Sequence, residues 1–402
     1  MLMKMNRNIW IFLLILALTV SSCSLVKPEK EEPCVVTLGF ILAESTEEGI
    51  QQKAGYEQAL EEIVQSNLVD GCEINPIFKD EGSSLNPEAV QNAVRNLADE
   101  GAAAVLGATT SDATMRAVNI AKYLKIPLLV PTNASDEITG GGNPWIFRLS
   151  PTNGSAAEQI LKMIRTKYGS EASISVLFEQ TLFGESTAVA IADTALTEGL
   201  TISTYTSYAP GALEYVGLVA QSAAKQPDVL FLVASQADQA QGLIGAASKL
   251  NIQAVIGSGD GFDGWEIIQD PNYFISSSGP DFFVTTDPIS YEIGKDWDRS
   301  AEDGEEAVSL SKAEAYLAVK VLAEAVAAIQ TNENNALQRL LMDSELSKIR
   351  ELVAEYLRAE NCKDDETLPS CYPVVFDTTG QSNLTPALVE STGRELNLLN
   401  AP

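Results

Sequence analysis

Three short polar segments carry side chains that could bind a small charged molecule. The first is Gly107-Ala108-Thr109-Thr110-Ser111-Asp112, which follows an apolar run and opens a helical pattern. Backbone N–H groups at a helix N-terminus bind anions, and the hydroxyl groups of Thr110 and Ser111 would add donors for a carboxylate. Simple capping of the helix by Ser111 is the alternative explanation of the serine.

The other two segments suit a positive charge. Thr132 and Asn133 lie in a polar loop whose backbone carbonyl and hydroxyl groups could accept hydrogen bonds from an ammonium group; a polar turn is the alternative interpretation. Asp260 lies in a glycine-rich loop and would bind an ammonium group strongly in a poorly solvated cleft. Together the three segments predict a zwitterion site, with the carboxylate near Ser111 and the ammonium group near Asp260.

The glycine-rich loop also matches a nucleotide-binding pattern. Residues 259–264 have the spacing G-x-G-x-x-G, which is typical of dinucleotide sites. Asp260 and Asp263 would repel a pyrophosphate, and the loop lies far from the first strand–helix unit. We therefore expect no nucleotide and no other cofactor.

The amino-acid composition excludes several classes of enzyme and binding partner. The sequence contains no histidine, which excludes Ser-His-Asp and Cys-His nucleophile pairs and removes the commonest zinc ligand. Because no nucleophile–base pair can be assembled from the polar loops, we expect a binding protein without enzymatic activity or a metal. The formal net charge of -29 makes nucleic acid and bare anionic membrane surfaces poor partners.

The first 23 residues have the features of an export signal. Lys4 and Arg7 precede the apolar stretch Ile9–Val20, which is too short for a stable membrane-spanning helix. Val20-Ser21-Ser22-Cys23 resembles the bacterial lipoprotein processing box, which implies cleavage before Cys23 and its acylation; an ordinary secretory signal with a chance cysteine is the alternative. Residues 1–22 are then a signal peptide and 23–33 a lipid-anchored linker outside the cytoplasm, on the periplasmic or cell-surface side.

Four further cysteines suggest two disulfides. An even number of cysteines in an exported protein favours pairing, although free buried thiols and other connectivities remain open. Cys34 and Cys72 begin two strands that we expect to be parallel neighbours, and Cys362 and Cys371 flank a polar loop. We predict the pairs 34–72 and 362–371.

Strands and helices alternate along the chain and must position these loops. Strands that are unbroken apolar runs between helices imply parallel sheets covered on both faces. The pattern restarts after Pro151, so we predict an α/β protein of two doubly wound parallel-sheet lobes joined by a hinge. The N-terminal lobe is assigned residues 34–149 plus 281–344, and the C-terminal lobe 150–280 plus 345–402. Their cleft lies at the carboxyl ends of the strands, where the first loop contributes Ser45.

Five stretches of the sequence carry a resemblance to a known family. In order, these are Val105–Ser111, Ile126–Pro131, Phe147–Pro151, Gly257–Gly261 and Ala313–Lys320. Their order and spacing resemble the branched-chain amino acid-binding proteins of ABC transporters, which have the type I periplasmic-binding fold. The resemblance implies that Ser111 holds an α-carboxylate, that the Thr132 carbonyl and Asp260 hold an α-ammonium group, and that Phe183 lines the second lobe.

The sequence departs from that family at three loops. Ala134 stands where the family usually has a hydroxyl residue, and the loop around Ser45 is short. Residues 234–236 lack the aromatic side chain that is frequent at this position in the family. We expect a monomeric, lipid-anchored binding protein that captures a small amino-acid-like ligand by lobe closure and delivers it to ABC transporter permease subunits. The alternative is an interaction or sensory lipoprotein on the same fold, such as an activator of a cell-wall synthase or the ligand-binding component of a receptor.

Overall fold

The structure is a computed structural model. It describes residues 33–82, 86–262, 280–300, 309–332, 336–359, 372–391 and 396–399. Cys23, Cys362, Cys371 and the predicted signal segment lie outside the described residues. Within the described segments, we find no helix with the length and apolar character that crossing a bilayer requires.

The first sheet is wholly parallel and follows the predicted strand–helix alternation. Its strand order is β2-β1-β3-β4-β5. The strands are β1 (Cys34–Leu42), β2 (Cys72–Asp80), β3 (Ala104–Leu106), β4 (Leu128–Val130) and β5 (Ile146–Arg148). The helices between them are α1 (Glu47–Ser66), α2 (Ala89–Asp99), α3 (Ser111–Leu124) and α4 (Glu137–Gly140). Apolar residues cover both faces of the sheet, which explains the unbroken apolar runs in its strands.

The second sheet has the order β12-β11-β10-β9-β8-β6-β7 among the described strands. The strands are β6 (Ser173–Glu179), β7 (Thr201–Tyr208), β8 (Val229–Val233), β9 (Ala254–Ser258), β10 (Asp281–Thr286), β11 (Ala387–Ser391) and β12 (Leu396–Leu399). The helices are α5 (Asn153–Tyr168), α6 (Leu182–Glu198), α7 (Tyr215–Ser222) and α8 (Ala237–Ala247). β11 pairs antiparallel with β10 and β12, whereas the other pairs are parallel.

Four helices follow β10 in the described part of the chain. They are α9 (Pro288–Ser300), α10 (Leu310–Asn332), α11 (Ala336–Met342) and α12 (Leu346–Arg358). The alanine-rich helix α10 is buried along most of its length and packs against α1 and the first sheet. At Gly55 the two helices are so close that an added Cβ would lie 2.2 Å from the Lys312 carbonyl oxygen. A helix that is apolar around most of its surface is stable only when it is enclosed in this way.

Sheet membership divides the chain differently from our sequence-based boundaries. β10 pairs with β9 and belongs to the second lobe, although we assigned residues 281–344 to the first. Conversely, α12 packs in the core of the first lobe, although residues 345–402 were assigned to the second. The chain therefore passes between the lobes after β5, after β10 and again before β11.

The predicted disulfide between Cys34 and Cys72 is confirmed. The two residues lie opposite each other at the start of the parallel pair β1–β2, and their sulfur atoms are bonded. Their closeness follows directly from the register of the two strands.

Candidate functional site

A cavity lies between the two lobes at the carboxyl ends of both sheets. Its water-accessible volume is about 70 Å³. Thr132 and Ala134 line it from the first lobe, and Phe183, Ser258 and Gly259 line it from the second. The remaining lining residues come from α5, β10, α10 and the segments that connect the lobes: Ser150, Pro151, Asn153, Ala156, Thr285, Thr286, Leu310, Glu314 and Pro386.

Thr110, not Ser111, caps helix α3. The Thr110 hydroxyl accepts a hydrogen bond from the Ala113 N–H at 3.3 Å, and Ser111 is the first helical residue. The capping role that we considered for Ser111 is therefore wrong, because the preceding hydroxyl has the extended backbone geometry that a cap needs. Ser111 is buried, and its hydroxyl donates to Asn133 Oδ1 at 3.3 Å.

A buried carboxylate that sequence reasoning missed occupies the N-terminal side of α3. Glu81 Oε2 accepts from the Thr109 N–H at 2.7 Å, and Glu81 Oε1 accepts from the Thr110 hydroxyl at 3.1 Å. Burial raises the pKa of Glu81 to about 7, although these hydrogen bonds act in the opposite direction. The only sequence signal was an acidic residue directly after the second strand, at the edge of the sheet where α3 begins.

Thr132 and Asn133 have different surroundings. Thr132 lines the cavity, and its hydroxyl accepts from Gln52 Nε2 at 3.0 Å. The buried Asn133 amide instead donates to the Ala108 carbonyl at 2.7 Å and to the Thr114 hydroxyl at 2.9 Å. Through these hydrogen bonds Asn133 fixes the loop after β4 against helix α3, so its role in the structure is to hold the loop in place.

The other predicted ligand residues are spread around the cleft. Ser45 is exposed in the loop after β1, and it, Thr110 and Ser111 are not among the residues that line the cavity. Phe183 is half-buried and lines the cavity beside Gly259. Asp260 opens the short helical turn Asp260–Phe262, but its side chain lies outside the described part of the chain.

Gly259 permits the close contact between two loops of the second lobe. Its φ is +105°, and an added Cβ would lie 2.6 Å from the Phe183 ring and 2.5 Å from the Ala234 carbonyl oxygen. Only glycine combines this backbone conformation with so little space. The loop after β9 is therefore held against Phe183 at the wall of the cavity.

Two buried residues of the cavity were not foreseen from the sequence. Asn153, the first residue of α5, is 5% exposed, and its Nδ2 has no hydrogen-bond partner among the described residues. Leaving a buried donor unsatisfied costs about 1–3 kcal/mol. Glu314, in the first turns of α10, is 9% exposed and also lines the cavity. The polar run at the start of α5 was a signal for Asn153, whereas the long helical pattern concealed Glu314.

The lobes also contact each other beside the cavity. Asp112 Oδ2, on helix α3 of the first lobe, accepts a hydrogen bond from the Leu182 N–H at 3.2 Å. Leu182 is the first residue of α6 in the second lobe, so the carboxylate lies at the positive end of that helix. The two lobes are therefore in contact through a polar bond that does not require a ligand.

The cavity contains hydrogen-bonding groups that suit a positively charged group and groups that suit a negatively charged one. In the described part of the chain, no group of three or more acidic or cysteine side chains is arranged to hold a metal ion. The cavity instead combines an amide, several hydroxyl groups, one aromatic ring and a carboxylate. These groups can bind and orient a small polar molecule.

Curated relatives match about half of the chain. A Leu/Ile/Val-binding protein homologue from Brucella abortus is 26% identical over 224 residues, which are 53% of this chain and 55% of the relative. A leucine-, isoleucine-, valine-, threonine- and alanine-binding protein from Pseudomonas aeruginosa is 22% identical over 173 residues, 43% of this chain and 46% of the relative. The chain thus spans about half the length of the curated relatives that it matches.

Solved structures match nearly the whole fold at low identity. An ABC transporter substrate-binding protein from Desulfitobacterium hafniense, in complex with Leu, has a TM-score of 0.65 at 19% identity and covers 91% of this chain and 100% of its own. A solute-binding protein from R. palustris, in complex with benzoate, has a TM-score of 0.70 at 17% identity, with 91% and 95% covered. These likenesses establish the two-lobed fold.

The family assignment comes from the sequence profile. The profile described as periplasmic binding protein matches residues 35–372, which include most of both lobes. The chain belongs to the periplasmic binding protein family.

Proposed function

We propose that this protein is an extracytoplasmic, lipid-anchored solute-binding protein. It captures a small amino-acid-like ligand between its lobes, without catalysing a reaction, and delivers it as a monomer to the permease subunits of an ABC transporter. The lipid anchor rests on the Val20-Ser21-Ser22-Cys23 sequence. More than one acyl chain at Cys23 gives stable attachment to a membrane.

The observation that carries the proposal is a cavity with walls from both lobes. A ligand in contact with Thr132 on one side and with Phe183 and Ser258 on the other gains all its contacts only when the lobes are together. Such a ligand stabilises the closed state by its difference in affinity for the closed and open states. Ligand-dependent closure is the signal that a transporter partner can recognise.

The chemistry of the cavity supports an amino-acid-like ligand. Glu314 offers a carboxylate to an ammonium group, and the amide and hydroxyl groups offer donors to a carboxylate. The curated relatives in Brucella and Pseudomonas carry names that refer to branched-chain and other small amino acids. Both lines of support favour the same class of molecule.

A thermal-shift screen tests the proposal. The mature chain, purified in detergent, is heated with each of a panel of amino acids, amides and small carboxylates. A ligand at a hundred times its Kd adds about 2.7 kcal/mol to the free energy of unfolding and raises the Tm. We expect a shift with at least one amino acid and none with carboxylates that lack an amino group. If no compound shifts the Tm, the interaction or sensory lipoprotein is the better explanation.

A further inference from the structure

Donors at the N-terminal side of α3 are already occupied by the protein itself. The Thr109 N–H and the Thr110 hydroxyl both donate to Glu81, and the Ala113 N–H donates to Thr110. A ligand carboxylate at this position would meet the Glu81 carboxylate at the same donors. Because Glu81 already accepts hydrogen bonds from these donors, they are not available to a second carboxylate. The negative end of a ligand therefore needs a different position.

Asn153 provides that position. Its side chain is buried at the cavity wall, and Nδ2 has no hydrogen-bond partner among the residues that the structure describes. Buried polar groups are almost always hydrogen-bonded, so an orphaned amide in a cavity indicates a missing partner. An N–H donor requires an acceptor, which a carboxylate or carbonyl oxygen supplies.

The charge of the cavity excludes a simple anion. Among its described lining residues there is no lysine or arginine, and Glu314 contributes a carboxylate. A ligand with only negative charge would meet no positively charged side chain among these lining residues. A zwitterion carries its own positive charge, so its acceptor end can meet Asn153 while its ammonium end lies toward the negative Glu314.

We propose that the Asn153 amide binds the carboxylate of the ligand in place of the donors at α3. This inference rests on the proposed function, because it identifies the subsite that the captured molecule uses. Asn153 is then the specificity-determining residue for the negative end of the ligand.

Two substitutions at one position test the sign of the interaction. Asn153→Asp keeps the shape of the side chain but replaces the donor with a negative charge, and Asn153→Ala removes the amide. We expect Asn153→Ala to weaken binding by about tenfold or more, as is typical for a hydrogen bond to a charged group. Asn153→Asp should weaken it further. Asn119→Asp, at an exposed position of α3, is the matched control and should bind like the wild type.

Isothermal titration calorimetry on the mature chain in detergent, with glycine, alanine, serine and leucine, gives the readout. The Tm of each empty variant shows that it is folded; if Asn153→Asp does not fold, Asn153→Ala and Asn153→Ser decide. Unchanged binding by the Asn153 variants, or tighter binding by Asn153→Asp, would overturn the inference while leaving the proposed function intact. If the wild type binds none of these or any other amino acid, the proposed function fails as well.

Discussion

Glu81 shows how one buried side chain determines what a loop can bind. Glu81 is only 6% exposed, and its carboxylate accepts hydrogen bonds from the Thr109 N–H and the Thr110 hydroxyl. Burial raises its pKa from 4.5 to about 7, and the negative charge of Asp80 adds to the effect. In the folded protein Glu81 therefore keeps its proton to a higher pH than it does in the unfolded chain.

This raised pKa has a definite consequence for stability. Between about pH 4.5 and 7 the folded state binds more protons at Glu81 than the unfolded state does, so stability falls as the pH rises through this window. A change of this size in one pKa corresponds to about 3 kcal/mol, which is present below pH 4.5 and lost above pH 7. Glu324, whose pKa is also raised to about 7 by burial, acts in the same direction.

We expect Glu81→Gln to flatten this pH dependence. The neutral amide keeps the size of the side chain but does not titrate, so the loss of stability between pH 4.5 and 7.5 should shrink by up to about 3 kcal/mol. Urea unfolding at a series of pH values measures the effect. Glu57→Gln, at an exposed position of α1, makes the same charge change and should leave the curve of the wild type unaltered. Equal slopes in the two variants would contradict the assignment.

The residue types of the site were easier to predict from the sequence than their partners. Thr110, Ser111 and Thr132 were recognised because polar residues after apolar strands lie at one edge of a parallel sheet. Glu81 and Asn153 were missed because their importance depends on groups distant in the sequence. Glu81 acts through Thr109, 28 residues away along the chain. Asn153 is significant only because burial leaves its amide unpaired.

At the level of elements, the strands of the first lobe were predictable because each is an apolar run of ordinary strand length. The predicted alternation of strands and helices is present in both lobes. The membership of β10 was not predictable. An apolar strand does not reveal which of two sheets it joins, and β10 is followed by the passage of the chain into α9 and α10. The antiparallel pairing of β11 and β12 was not predicted either, because the apolar pattern of a strand does not reveal its partner.

The disulfide between β1 and β2 gives a prediction at this scale. Cys34 and Cys72 close a loop with a sequence separation of 38, and a cross-link of that length restricts the unfolded chain by about 4 kcal/mol. We expect a reducing agent to lower the free energy of unfolding by an amount of this order. The double variant Cys34→Ser, Cys72→Ser should have the lower stability already. Because this double variant lacks the disulfide between Cys34 and Cys72, any further loss of stability on adding the reducing agent must come from other cysteines.

For the whole molecule, the proposed function depends on an equilibrium between closed and open lobes. The cavity walls come from both lobes, and the bond between Asp112 and the Leu182 N–H joins the lobes next to it. Asp112 is exposed, so water competes for the bond. A carboxylate at a helix N-terminus on the surface contributes about 0.3–1 kcal/mol. Under the proposed function, the bond favours the closed state only slightly, and the ligand is the main source of closed-state stability.

Removing either the acceptor or the donor of the hydrogen bond between Asp112 and the Leu182 N–H should have the same effect on ligand dissociation. Asp112→Ala removes the acceptor. Leu182→Pro removes the N–H at the first position of α6, where proline is well tolerated after the extended Thr181. We expect either change to raise the ligand dissociation rate, measured by stopped-flow fluorescence, by roughly twofold to fivefold, because the closed state is less populated. The double variant should be no faster than either single one, since both break one bond. Additive effects would show that the two residues act independently, and an unchanged rate would show that closure does not depend on this contact.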